Sequence, residues 1–361
     1  MRYIDEYRNK ALVMSLINNI VRSVSRDYTF MEVCGGHTAA IHRFGIKSLL
    51  PGNVKLISGP GCPVCVTGTA FIDKAIAYSK IEGVVITTFG DMIRVPGSFS
   101  SLEKERAAGS DIRIVLSGLE ALEIARKNPE KKIIFLGIGF ETTAPGTAVT
   151  ILLAEKSDIN NFFLLSAHKV MPPAMEAIIK DGVNLDGFIC PGHVATITGS
   201  YIFNFIPEKF KLACVITGFE PSDILQSILM LILQVNLNAP KVEIQYNRAV
   251  TEHGNPIARN HLYQIFETCD EQWRGLGVIP GSGLKLRKEF ERFNIEKIMP
   301  VNVRSIEEDV LCICPDILRG FKTPADCTLF SKICVPENPA GACMVSNEGA
   351  CNAWYKYRID E

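Results

Sequence analysis

The sequence predicts an α/β fold: two doubly wound, Rossmann-like parallel-sheet domains and a third, loop-rich C-terminal unit dense in cysteine. Three observations predict it. Short runs of Val, Ile, Leu and Phe alternate with helix-length segments through the middle of the chain. Glycine-bearing motifs with Cys, His or Glu recur where those runs end, in both halves. Six of the twelve cysteines fall between Cys312 and Cys351, where the alternation has gone.

The elements follow in chain order. Met1–Val24 carries an amphipathic helical pattern. Val54–Ser58, Gly83–Thr88, Ile112–Leu116, Lys132–Gly137, Phe162–Ser166, Gly187–Cys190 and Leu212–Thr217 each read as a buried strand, short, apolar and bounded by Gly, Pro or polar residues. Gly68–Lys80, Gly118–Lys127, Gly146–Glu155, Pro172–Ile179 and Pro221–Gln234 supply helices between them, the mark of βαβ units. Recurrence of motifs in both halves favours two domains, 25–129 and 130–240, over one large sheet. Beyond Pro240 the chain becomes loop-rich, and residues 241–361, joined by the helix 1–24, form the third unit.

Composition excludes several function classes. With 361 residues, 47% hydrophobic and 21% charged, the chain can bury a large core and is not disordered. Lys+Arg 38 against Asp+Glu 39 gives a net charge of −1, no basis for bulk binding to nucleic acid or an acidic membrane. No apolar run reaches the roughly 20 residues of a membrane helix; Ile228–Leu233 is broken by Gln234. Met1–Lys10 is too charged for a signal peptide, so a cytoplasmic location is expected. There, cysteines point to metal or redox chemistry before structural disulfides.

Ligands of open α/β sheets bind beyond the C-terminal ends of the strands, so a site is expected in those loops. Cys34-Gly35-Gly36-His37-Thr38 sets a thiol and an imidazole about two glycines; it is a metal-binding loop or a tight turn with a buried Cys. Gly59-Pro60-Gly61-Cys62-Pro63-Val64-Cys65 is a CxxC at a strand-to-helix turn, where a helix N-terminus favours thiolate. It suits redox exchange or metal binding ahead of a purely structural turn, and a metal would need a third donor, for which Cys34 is the candidate. Gly137-Ile138-Gly139-Phe140-Glu141-Thr142-Thr143 has Thr142 where a nucleotide fingerprint needs its third glycine. Glu141 is then a site carboxylate or an ordinary helix-start acid. His168 and His193 fall at later strand ends, with Asp91 at another. His42, His253 and His261 lack such context, and Arg248 and Asn255 stay undecided. At the C-terminus, Cys312, Cys314, Cys327, Cys334, Cys343 and Cys351 sit among prolines and glycines with little apolar periodicity. Six thiols suit an iron–sulfur cluster plus a redox dithiol, or else a four-cysteine zinc site. A bound metal would supply stability that so loop-rich a segment lacks.

Together these segments resemble the HypD family of hydrogenase maturation proteins from about Met31 to the C-terminus. The resemblance rests on the Cys34–Thr38, Gly59–Cys65 and Gly139–Pro145 motifs and on the tail Gly341-Ala342-Cys343-Met344-Val345-Ser346, Glu348-Gly349-Ala350-Cys351. The family pattern would place a second histidine two residues after His37; Ala39 stands there and shifts weight to Cys34. The resemblance implies an assembly scaffold rather than a conventional turnover enzyme. With a HypC-type chaperone it would hold iron while the Fe(CN)2CO group of a [NiFe]-hydrogenase is built, HypE delivering cyanide. It implies transient iron at Cys34, Cys62 and Cys65, with His37, Glu141, His168 and His193 around the same cleft. It implies one [4Fe-4S] cluster on Cys312, Cys327, Cys334 and Cys351, spaced C-x14-C-x6-C-x16-C, leaving Cys314 and Cys343 as the dithiol. The rival reading is a stand-alone iron–sulfur thiol–disulfide oxidoreductase acting on a protein partner.

Overall fold

A computed structural model describes residues 5–304 and 311–357. Its strands are β1 (Tyr28–Glu32), β2 (Val54–Ser58), β3 (Val84–Thr88), β4 (Ile112–Ile114), β5 (Lys132–Gly139), β6 (Phe162–His168), β7 (Gly187–Pro191), β8 (Ala213–Thr217), β9 (Val242–Ile244), β10 (Phe266–Trp273) and β11 (Gly277–Leu286). The first sheet has the order β2-β1-β7-β8-β9 and the second β4-β3-β5-β6; every pairing in both is parallel. A loop-rich, cysteine-bearing segment follows from residue 311. This is the α/β architecture expected.

The sheets divide the chain differently from a cut near Asn128. That cut falls between β4 and β5, which both pair with β3. The first sheet instead takes its strands from both sides of the second: the chain leaves after β2 and returns at β7. A crossover from one sheet to another reads in sequence like any other βα connection, so contiguous halves were the default. Residues 241 onward also differ from expectation. Strand β9 extends the first sheet beside β8, and β10 and β11 form an antiparallel hairpin whose polar, half-exposed alternation resembles loop. The helix Lys10–Ser23, whose predicted first four residues lie outside the described residues, does not join the C-terminal unit. Its Ile17 and Ile20 pack with Ile224, Ile228 and Ile232 of the helix Pro221–Asn236, which covers the outer face of the first sheet. An apolar stripe goes where a matching one is bare.

The main core runs from Phe188 and Ile216 of the first sheet, through Ile134 and Leu136 of the second, to Ile317 and Met344 of the cysteine-bearing segment. Burial on this scale fixes the units against one another. Among the described residues, no helix is long and apolar enough to cross a membrane.

Candidate functional site: a cleft between two switch points

In each sheet the strand order reverses once, between β1 and β7 in the first and between β3 and β5 in the second. Side chains beyond such a reversal have room to splay apart and admit a ligand. Here the two reversals face each other. The loops after β1, β7, β3 and β5 supply Cys34, His193, Asp91 and Thr142 to one cleft of about 280 Å³.

Cys34 caps the helix Gly35–Arg43, and the amides of Gly36 and His37 turn toward its sulfur, which favours thiolate. Burial, with Glu348 alongside, outweighs them and pushes the thiol up to about 12. A cation at the sulfur would reverse that balance. The Cys34 loop is seated on the CxxC loop. Gly35 N–H donates to Gly61 O at 3.0 Å, and a Cβ on Gly61 would lie 2.2 Å from Cys34 N. Only glycine permits that approach.

Cys62 and Cys65 are disulfide-bonded, with Cα atoms 5.2 Å apart. Cys62 caps the short helix Pro63–Val66, its sulfur accepting Cys65 N–H at 3.2 Å. The pair is buried, while Pro63 and Val64 line the cleft. The β10–β11 hairpin braces this helix from behind: Arg274 N–H donates to Val66 O at 2.9 Å, and Trp273 stacks on Phe140 at 5.9 Å.

The other predicted residues separate. His193 faces the cleft. His37 is buried behind it, its Nε2–H shared between Thr217 O at 3.2 Å and Gly218 O at 3.0 Å; burial lowers it to about 4, so it is neutral. Glu141 lies under the cleft floor rather than on it. One oxygen accepts Met171 N–H at 3.0 Å, the other has no partner among the described residues, and burial raises the carboxyl to about 7. His168 corrects the rim expectation. It is the last residue of β6, inside the core between Thr147 Oγ1 at 3.2 Å and Ser166 Oγ at 3.1 Å, with burial lowering it to about 3. Arg248 pairs with buried Asp223, both guanidinium nitrogens reaching the carboxylate at 2.5 and 2.9 Å. Asn255 caps the helix Pro256–Ile265.

The six C-terminal cysteines converge on one small cavity, otherwise walled by residues that include Ile317, Leu329, Phe330 and Met344. Cys314 and Cys343 have their sulfurs 2.8 Å apart. Burial raises Cys312 to about 12 and lifts Cys351 well above the ordinary thiol range, and neighbouring cysteines, Cys314 foremost, push both further up. The Ala340 amide points at Cys334 Sγ at 3.3 Å. Converging thiols, an apolar wall and an N–H aimed at sulfur fit an iron–sulfur cluster, whose positive charge would relieve the crowding. Among the described residues, no group of three His, Cys, Asp or Glu closes on a single ion position. The helix Ala342–Val345, bearing Cys343, packs against Pro63–Val66, bearing Cys65.

Three residues of the site escaped the sequence reading. Glu32, at the end of β1, is buried, takes the Thr38 hydroxyl at 2.5 Å and is raised by burial to about 7. Its strand was missed, and with it the strand-end position that marks the residue. Glu348 reaches the cleft from the C-terminal segment, its Cβ 2.4 Å from where one on Gly35 would stand. Nearby, the Ser346 hydroxyl donates to Asp91 Oδ2 at 3.2 Å. Glu348 sat in the recognised tail motif with no position in space to give it a role. Phe219 follows β8, and the strand-end rule applied there would have found it.

A family model named HypD, described as Hydrogenase formation hypA family, matches residues 10–358. The chain is similar to hydrogenase maturation factor HypD of Azotobacter vinelandii, 46% identical over 99% of this chain and 97% of that one. It is 45% identical to HypD2 of Bradyrhizobium diazoefficiens, with the same coverage. It is 42% identical to HypD of Escherichia coli K12 over 100% of this chain and 99% of that one.

Proposed function

The chain belongs to the HypD family of hydrogenase maturation proteins, and from that premise we propose that iron is held at its cleft while cyanide and carbon monoxide are added. The product is the Fe(CN)2CO group of a [NiFe]-hydrogenase. A HypC-type chaperone shares the iron, HypE supplies cyanide, and the hydrogenase large subunit receives the finished group, all in the cytoplasm. The observation that carries this reading is Cys34, set at the facing switch points, with helix amides at its sulfur and the CxxC loop against it. Thiolate is a soft donor suited to iron with strong-field ligands, and Cys62 and Cys65, once reduced, add two more. His193 lines the cleft, and with no protein hydrogen bond on either ring nitrogen among the described residues it would serve proton transfer or orient an incoming ligand. Glu141 contributes by holding the Met171 amide and so the shape of the floor.

Cys312, Cys327, Cys334 and Cys351 would hold a [4Fe-4S] cluster, which supplies single electrons. The remaining pair does the two-electron step. The Cys314 and Cys343 thiols attack the Cys62–Cys65 disulfide, form their own disulfide and leave Cys62 and Cys65 as thiols, so bonds, electrons and protons balance. Contact between the helices of Cys343 and Cys65 supports this route. The chain acts as a redox-active scaffold.

Anaerobic purification with iron, sulfide and zinc analysis tests the reading first. About four irons and four sulfides per chain are expected; zinc without sulfide would remove the cluster and the electron supply. Infrared spectra of the complex with its HypC-type partner test the cleft. Cyanide and CO bands are expected from the unmutated chain and lost in Cys34→Ala; their survival there would refute Cys34 as iron ligand.

A further inference from the structure

The ring of Phe219 lies between two imidazoles. His37 stacks on it with centroids 4.5 Å apart and planes 19° from parallel, and His193 at 3.9 Å and 21°. Two rings this close to one phenyl plane cannot share a face, so each takes one side. The three residues follow neighbouring strands: His37 after β1, His193 after β7 and Phe219 after β8.

The two imidazoles are held differently. His37 is pinned through Nε2–H to two carbonyls. For His193, among the described residues, no protein hydrogen bond engages either ring nitrogen; its recorded ring contact is the stack on Phe219. Phe219 itself has little freedom. His37 backs one face, Tyr246 stands edge-on at 6.0 Å and 88°, and a Cβ on Gly36 would meet its ring at 3.1 Å. The backbone on either side is anchored too. Gly218 N–H donates to Gln245 Oε1 at 3.1 Å and Glu220 N–H to Asp223 Oδ2 at 3.2 Å.

We infer that Phe219 is a positioning residue: its ring sets the plane of the His193 imidazole at the cleft wall and leaves both His193 nitrogens free for the ligand. Its role in maturation rests on the cleft being the iron-handling site. A flat apolar face can hold an imidazole in one plane without spending either nitrogen on a protein partner, as a carboxylate would. His37 is the back plate that keeps the face in place.

The test reads both geometry and function on the full chain. Histidine-labelled protein gives the His193 ring-proton signals by NMR, assigned by their loss in His193→Gln. In the unmutated chain they are expected well upfield of free imidazole, from the Phe219 ring current. Phe219→Leu should return them toward the free position, and Phe219→Tyr, which keeps the face, should hold them. In cells lacking the native gene, Phe219→Leu should slow hydrogenase maturation roughly three- to ten-fold, with rescue by Phe219→Tyr. Signals at the free-imidazole position in the unmutated chain would overturn the inference without any variant at 219, so a misfolded Phe219→Leu does not shelter it. Unchanged His193 signals in a folded Phe219→Leu would overturn it too. Normal maturation by His193→Gln overturns the functional half, whatever the spectra show, and leaves the Cys34 infrared test standing as a separate question.

Discussion

Substituting Gly61 by alanine attacks a place where the two cysteine loops of the cleft touch backbone to backbone. The added methyl would sit 2.2 Å from Cys34 N, 2.3 Å from Val33 C and 2.4 Å from Cys34 Cα. All three are main-chain atoms, so no rotamer change relieves the overlap, and the loops must part by about 1 Å to reach ordinary contact. Over-packing that side chains can absorb costs about 1–3 kcal/mol. Parting the loops also stretches the 3.0 Å bond from Gly35 N–H to Gly61 O, worth about 1 kcal/mol. The expected loss is therefore about 2–4 kcal/mol, measured by urea unfolding with unchanged slope. Gly146→Ala is the matched control. It lies in the helix Ala144–Lys156 with nothing within 4 Å of its added Cβ, and should gain about 0.5–1 kcal/mol. Gly61→Ala should also expose Cys34, raising its alkylation rate in the native state. A loss below about 0.5 kcal/mol with unchanged Cys34 alkylation would show that the loops are not held by this approach.

Other perturbations have equally definite outcomes. Asp223→Asn strips the buried partner of Arg248 and should cost about 3 kcal/mol in urea unfolding; a loss under a third of that would mean the network around Phe219 does not depend on the charge. Glu141 is raised from 4.5 to about 7, so its stabilising neutral form is kept below pH 4.5 and lost as pH rises through 7. The advantage of Glu141→Gln over the unmutated chain should therefore grow by about 3 kcal/mol between pH 4.5 and pH 8, and a pH-independent difference would contradict it. His37, lowered from 6.5 to about 4, works the other way: unfolding should become easier as pH falls from 6.5 toward 4, and His37→Gln should flatten that slope. Cys314→Ser and Cys343→Ser should each stop reductant-driven conversion of Cys62–Cys65 to thiols, read by mass-tagging under anaerobic conditions; normal conversion in either would refute the exchange.

Legibility in the sequence followed burial. Strands such as Val84–Thr88 and Ala213–Thr217, buried at every residue, are short runs without a charge and could be read directly. Tyr28–Glu32 was missed because Thr29 and Glu32 break its run, although Glu32 is buried. Phe266–Trp273 was missed because its exposed alternate residues, Thr268, Asp270 and Gln272, are polar and Glu267 and Glu271 beside them are charged. For the cleft, the strand-end rule led to Asp91 and His193, and the Cys-Gly-Gly-His motif led to Cys34; all three line it. It also selected His168, which ends a strand but points into the core. A strand-end position marks both possibilities, and only the direction of the side chain separates them. The facing of two switch points was beyond reach, since it depends on which strands share a sheet.

The interleaving of the sheets has a consequence for the order of assembly. Strands β3 to β6 are contiguous in the chain and can pair among themselves as soon as they have been synthesised. Strand β1 can pair early with β2, but its other edge must wait for β7, which lies beyond the whole inserted unit, so this closure spans the longest separation of any strand pairing in the two sheets. Until that closure Cys34 and His193 belong to separate, unorganised segments. The Cys34 thiol is thus brought opposite His193 only after the whole second sheet has been synthesised, and a chain stopped short of Gly187 would carry both cysteine loops of the cleft without the wall that faces them.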